Sequence, residues 1–152
     1  MNIADIDIST LLPHVDEIVL LDTLKTVSDD SLVALTRVRE DGLFNNNQNQ
    51  VPSFIAVEYM AQAIAAWAGY RGQSTGLPVR NGLLLGVREF NANVDYMPVA
   101  TPLEISVVLV MEMQNGMAVF DGQTTGPGIS ISGRLSVLSV ESLENLNADN
   151  IK

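Results

Sequence analysis

Residues 51–70 read VPSFIAVEYMAQAIAAWAGY, and the conformation of this stretch decides how everything around it must fold. Almost every position is apolar, so the run predicts one buried helix reaching about Gly69. Pro52 suits the first helical turn, and Ser53 fits near the cap. At ~1.5 Å per residue the helix would be ~27 Å long, enough to cross a whole sheet. A helix apolar on nearly all sides needs cover on more than one of them. Two polar residues interrupt it. Glu58 stands among Phe54, Ile55, Val57, Met60 and Ala61, and Gln62 follows one turn later.

Working outward, the flanks read mostly as strands. Before the helix, 17–27 is rich in Val, Ile and Leu, Asp29–Asp30 gives a turn, and 31–40 alternates as a returning strand. At the front, Asp7 or Ser9 can cap a short helix or turn that Pro13 should stop. The stretch 41–50 carries too much Asn for a regular element; its end, 45–50, is either a lid or plain disorder. After the helix, 71–82 reads as a loop and 83–96 as a strand, with Gly86 marking a bulge or a close approach. Residues 97–102 form a break. Strands are expected at 103–114, 117–125 and 129–140, the first two joined by the hairpin signal Asn115-Gly116. The expectation is a single domain over 1–140 with a polar C-terminal tail, 141–152. Strand, strand, long helix, four strands argues an α+β fold with an antiparallel sheet. The economical way to cover the helix is to curl that sheet around it, which is the hotdog fold: an antiparallel sheet wrapped around one long central helix.

The bulk numbers narrow the function. The chain has 152 residues, 47% hydrophobic and 17% charged, which suits one globular domain. A formal net charge of −10 argues against general attraction to nucleic acid or anionic lipid. The absence of cysteine removes thiol catalysis, disulfides and cysteine-ligated metal. The acidic N-terminus lacks the apolar core of a signal peptide. No apolar run suggests a membrane span, so a cytoplasmic location is expected.

The segments LLPHVDEIVLLD (11–22) and VPSFIAVEYMAQAIAAWAGY (51–70), with LLLGVREF (83–90) further on, resemble the hotdog-fold 3-hydroxyacyl-acyl-carrier-protein dehydratases. The similarity is closest to the branch associated with aryl polyene pigment synthesis, and it spans roughly residues 9–140. The resemblance implies a homodimer with side-by-side sheets and active sites at the interface. It implies loss of water from a 3-hydroxyacyl thioester carried on acyl carrier protein, giving a trans-2-enoyl thioester in fatty-acid or polyene-type biosynthesis. It implies no metal and no cofactor. One departure stands out: fatty-acid members carry a His in a Gly-His-Phe segment shortly before the helix, and DGLFNNNQNQVPSF (41–54) has none. The chain's one histidine is His14, in the Leu-Pro-His that those members also carry.

Dehydration needs a base for the C2 proton, an acid for the leaving C3 hydroxyl and donors for the thioester oxygen. Glu58 carries over by motif as a catalytic candidate. Burial favours the neutral form of a carboxyl group, which suits a proton donor; the alternative is a carboxylate at an edge, paired with an arginine. Gln62 sits at i+4, where it can orient Glu58. Helix N-terminal amides near Ser53 and Phe54 can hold the thioester oxygen. These two, with Gln62 and Gly86, are the substrate-binding candidates. His14 is either the C2 base, its unperturbed pKa of ~6.5 being apt, or the holder of a turn. Asp22 is an active-site carboxylate or a strand-end residue. Arg71, Arg80 and Arg88 receive the acidic carrier or are solvated charge. Met97, Met111, Met113 and Met117 fit core or acyl-tunnel filling, and Trp67 and Tyr70 fit core and dimer packing. Two other functions remain open. A hotdog acyl thioesterase would free a thiol rather than water. A non-catalytic subunit would bind the carrier or a homologous hotdog partner.

Overall fold

The structure is a computed structural model; it describes residues 3–11, 19–39, 49–74 and 82–139. His14, Arg80, most of the Asn-rich loop and the C-terminal tail lie outside the described residues. The helix α1 runs Ala56–Ser74, entered through a 3₁₀ turn at Ser53–Ile55. It is longer than the sequence suggested. Gly69 does not end it, because the last turns are held from outside. Arg71 lies over the Trp67 ring at 5.0 Å and its Nη1 donates to both Glu112 carboxylate oxygens at 3.3 Å.

The described residues contain eight strands: β1 Thr23–Val27, β2 Ser31–Arg37, β3 Gln50–Pro52, β4 Gly82–Ala92, β5 Tyr96–Pro98, β6 Pro102–Glu112, β7 Met117–Gly126 and β8 Ile129–Ser139. Six form one antiparallel sheet in the order β1-β2-β6-β7-β8-β4, and among the described residues β3 pairs only with β5. The break expected at 97–102 therefore contains two of the three residues of a short strand, and β3 takes the end of the expected loop together with Val51 and Pro52, which were expected to open the helix. The first strand also starts late. Residues Val19, Leu20 and Leu21 are buried before β1 begins, and Leu20 is anchored to the helix and to β2 rather than extending the ladder.

The inward faces follow the two-residue alternation of strands. Leu24, Leu32, Ala34, Ile105, Val107, Phe120, Ile131 and Leu135 are all buried against Met60, Ala63, Ile64 and Trp67 of α1. The helix lies close to the sheet because Gly122 leaves room: a Cβ there would sit 2.8 Å from the Met60 sulfur. Trp67 meets Phe120 edge-on at 5.3 Å and donates its Nε1–H to the Ser28 carbonyl. Met97 is fully buried as expected, but Met111 and Met113 are 52% and 39% exposed. A bulge between Leu109 and Met111 carries the end of β6 past the edge of the core. Gly116 takes φ 88 in the β6–β7 turn, as the Asn-Gly pair predicts. No helix among the described residues is long and apolar enough to cross a membrane.

Candidate active site at the start of the central helix

The entry of α1 is tied down by Ser53. Its N–H donates to the Asp95 carbonyl at 2.9 Å and its hydroxyl to the Val94 carbonyl at 2.6 Å. Pro52 (φ −58) is the cap residue, and no side chain caps the turn. Ser53 is thus a clamp between the helix and the β4–β5 connection rather than a cap, and its amide is already in use. Phe54 follows it and is 64% exposed.

One turn further, Glu58 is half-buried rather than enclosed in the core. The polar partner it has among the described residues is Gln62, whose Nε2 donates to Glu58 Oε1 at 3.1 Å. No arginine or lysine among the described residues forms an ion pair with Glu58. Gln62 itself is 1% exposed, and its Oε1 accepts the Leu20 N–H at 2.8 Å. The orientation of this amide follows from chemistry: a backbone N–H can only donate, so the oxygen end must face Leu20. The helix thereby offers a carboxylate with one oxygen engaged, on the flank that also carries half-buried Val57, Ala61 and Ala65. A carboxyl held this way is equipped to pass a proton to or from a molecule lying on that flank.

The other sequence candidates scatter. Gly86 lies on β4 just after a bulge at Leu85, and its register with Ser136 puts it on the face away from the helix. Among the described residues a Cβ at Gly86 would meet nothing within 4 Å, so none of them makes a close approach there. Asp22 stands before β1, 3.4 Å from the Arg39 guanidinium, and serves the strand junction. Arg71 is engaged with Glu112 and Trp67, whereas Arg88 is exposed on β4. An open groove of about 650 Å³ near Asp22, Arg37 and Glu104 includes neither Glu58 nor the start of α1. Among the described residues no group of three or more His, Cys, Asp or Glu is placed to hold a metal ion.

Sequence reasoning missed Leu20, Thr36 and the Val94–Asp95 pair. Thr36 had a signal, being the one hydroxyl in the otherwise apolar alternation Leu32, Ala34, Thr36, Val38. Backbone partners such as Leu20 leave no trace in a sequence.

A family model described as ApeP dehydratase matches residues 6–148. No curated protein sequence matches the chain at a significant level. The chain is similar in structure to the dehydratase heterocomplex ApeI:P from Xenorhabdus doucetiae, with 28% identity, TM-score 0.83, and coverage of 93% of this chain and 97% of that one. A conserved protein of Pseudomonas aeruginosa shares the fold at 11% identity and TM-score 0.62, covering 86% and 97% of the two chains. So does a hypothetical thioesterase with coenzyme A from Streptococcus pneumoniae, at 14% identity, TM-score 0.55, and 76% and 83% coverage.

Proposed function

Since this chain belongs to the ApeP-like dehydratase family of hotdog proteins, we propose that it removes water from a 3-hydroxyacyl thioester held on an acyl carrier protein, with Glu58 as proton donor. The observation that carries this reading is the half-buried Glu58 at the start of α1, with the Gln62 amide on one oxygen. In the reaction a base takes the C2 proton, and that C–H electron pair becomes the C2–C3 double bond. The C3–O bond breaks toward oxygen, and the hydroxyl leaves as water with the proton supplied by Glu58. The proposed base is His14, carried over from the Leu-Pro-His segment. The proposed donor to the thioester oxygen is the Phe54 amide, because the Ser53 N–H is occupied by Asp95. Gly86 leaves the β4 backbone open to the carrier-borne arm.

The exposed edge supports assembly. β4 ends the six-stranded sheet and carries Leu83, Leu84, Leu85 and Phe90, each between 37% and 46% exposed. We propose that this strand meets a second hotdog chain, either a copy of this one in a homodimer or a homologous partner, and the similarity to a dehydratase heterocomplex favours the homologous partner. The catalytic and non-catalytic readings separate on one variant. Glu58→Gln keeps the shape and the Gln62 contact but supplies no proton, so carrier-bound substrate should turn over at least ~100-fold more slowly with the fold intact. Turnover equal to that of the unaltered protein would make Glu58 structural. Release of free thiol in place of enoyl thioester would support the thioesterase reading.

A further inference from the structure

Behind Glu58 runs a buried chain of hydrogen bonds that ends on β2. Thr36 is 4% exposed, between buried Ala34 on the inward face of that strand and buried Val38 just past its end. Three acceptors surround its hydroxyl: the Leu20 carbonyl at 2.5 Å, Asp22 Oδ2 at 3.3 Å and the Arg37 carbonyl at 3.4 Å. A hydroxyl has one proton to donate, and the shortest contact takes it. Leu20 is therefore held at both of its backbone groups, its carbonyl by Thr36 and its N–H by Gln62. Gln62 in turn donates to Glu58 Oε1.

We infer that Thr36 is a positioning residue for the Glu58 carboxyl, acting through Leu20 and Gln62 to keep the proton on Oε2. The inference rests on the reading of Glu58 as proton donor. The hydrogen bonds run in one direction. Leu20 N–H fixes the Gln62 oxygen, so the Gln62 nitrogen must face Glu58. The oxygen that accepts from nitrogen acts as the carbonyl oxygen, because an acid hydroxyl oxygen is the poorer acceptor. Oε1 is so occupied, and Oε2 is left to carry and deliver the proton. Were Leu20 released, the amide could turn end for end and present its oxygen to the carboxyl. That arrangement repels the carboxylate and draws the acid proton away from substrate. Thr36 prevents this from about two residues' remove, without touching substrate.

The test uses Thr36→Val, which keeps the shape and loses the hydroxyl, and Thr36→Ser, which keeps the hydroxyl. The side-chain amide of Gln62 is followed by nitrogen–proton NMR and identified by its loss in Gln62→Leu. Thr36→Val should shift both Gln62 amide proton signals and speed their exchange with solvent, and Thr36→Ser should restore them. With carrier-bound 3-hydroxyacyl substrate, Thr36→Val should lower kcat about tenfold and move KM less than about twofold, the scale of one hydrogen bond to a charged group. In a Gln62→Leu background the same change should cost no further kcat. Losses that multiply would overturn the inference, as would a lower melting temperature with unchanged Gln62 signals and unchanged kcat per folded molecule. If Thr36→Val does not fold, Thr36→Ala replaces it under the same outcomes. Should Glu58→Gln turn over normally, the proton-donor reading falls, while the NMR arm still reports whether Thr36 holds Gln62.

Discussion

Tyr59 follows Glu58 on α1 but turns into the core, where it is 3% exposed. Burial pushes its hydroxyl up from 10.0 to about 12, with Arg39 pulling down and Asp22 pushing up by lesser amounts. The folded protein thus holds this proton more tightly than the unfolded chain. Its contribution to stability is complete below pH 10, and it is lost as the pH climbs from 10 to about 12. A shift of about two units corresponds to about 2–3 kcal/mol, so urea unfolding of Tyr59→Phe should show a flatter alkaline decline than the unaltered protein. Thr124 poses the opposite case. It is fully buried, and among the described residues its hydroxyl is the buried side-chain oxygen with no hydrogen-bond partner. Thr124→Val keeps the volume and should raise stability by about 1 kcal/mol, read as a higher urea midpoint. At this scale the sequence was informative about side chains and silent about backbone. Glu58 and Gln62 announced themselves as polar residues in an apolar run. The Leu20 N–H that orients them, and the Asp95 carbonyl that occupies Ser53, belong to main chain that any residue type would supply.

Among the elements, α1 was legible because its burial is written into some twenty consecutive residues. Its end was not, since Gly69-Tyr70-Arg71-Gly72 looks like a stop until Glu112 and Trp67 are seen to hold Arg71. The strands β3 and β5 have three residues each and pair with each other, too few for any alternation to show. Gly69 has a further task. A Cβ at this position would lie 2.1 Å from the Leu11 carbonyl oxygen and 2.9 Å from its carbon, both backbone atoms. The 3₁₀ turn Ile8–Leu11, braced by Asp7 accepting from the Ser9 N–H and hydroxyl, rests directly on the helix there. In an ordinary helix Gly→Ala stabilises by about 1 kcal/mol. Here the sign should reverse, because the turn must lift away from the helix. Gly69→Ala is expected to lower the unfolding free energy by about 1–3 kcal/mol, measured by urea titration.

For the molecule as a whole, the two edges of the main sheet differ. One edge, β1, has five residues and carries Lys25, paired with Glu104 at 2.6 Å, a short and charged border of the kind that resists unwanted pairing. The other, β4, has eleven residues and a row of exposed leucines. Sedimentation at micromolar concentration should therefore give at least twice 16.4 kDa, and Leu84→Lys should shift the protein toward the single chain. The strand order β1-β2-β6-β7-β8-β4 has a consequence for the newborn chain. Synthesis proceeds from the N-terminus, so α1 leaves the ribosome before β6, β7 and β8, three of the strands that pack on it. β4 must likewise wait for β8, its ladder partner among the described residues, and β2, though it can pair with β1 at once, waits for β6 on its other side. An intermediate made only of residues before β6 leaves bare the part of α1 that β6, β7 and β8 cover. Pairings this distant in the chain are slow to form and leave apolar surface bare meanwhile. Nascent chains arrested before β8 should stay protease-sensitive and bind chaperones that recognise apolar helices, with protection arriving in one step once β8 is free to pair.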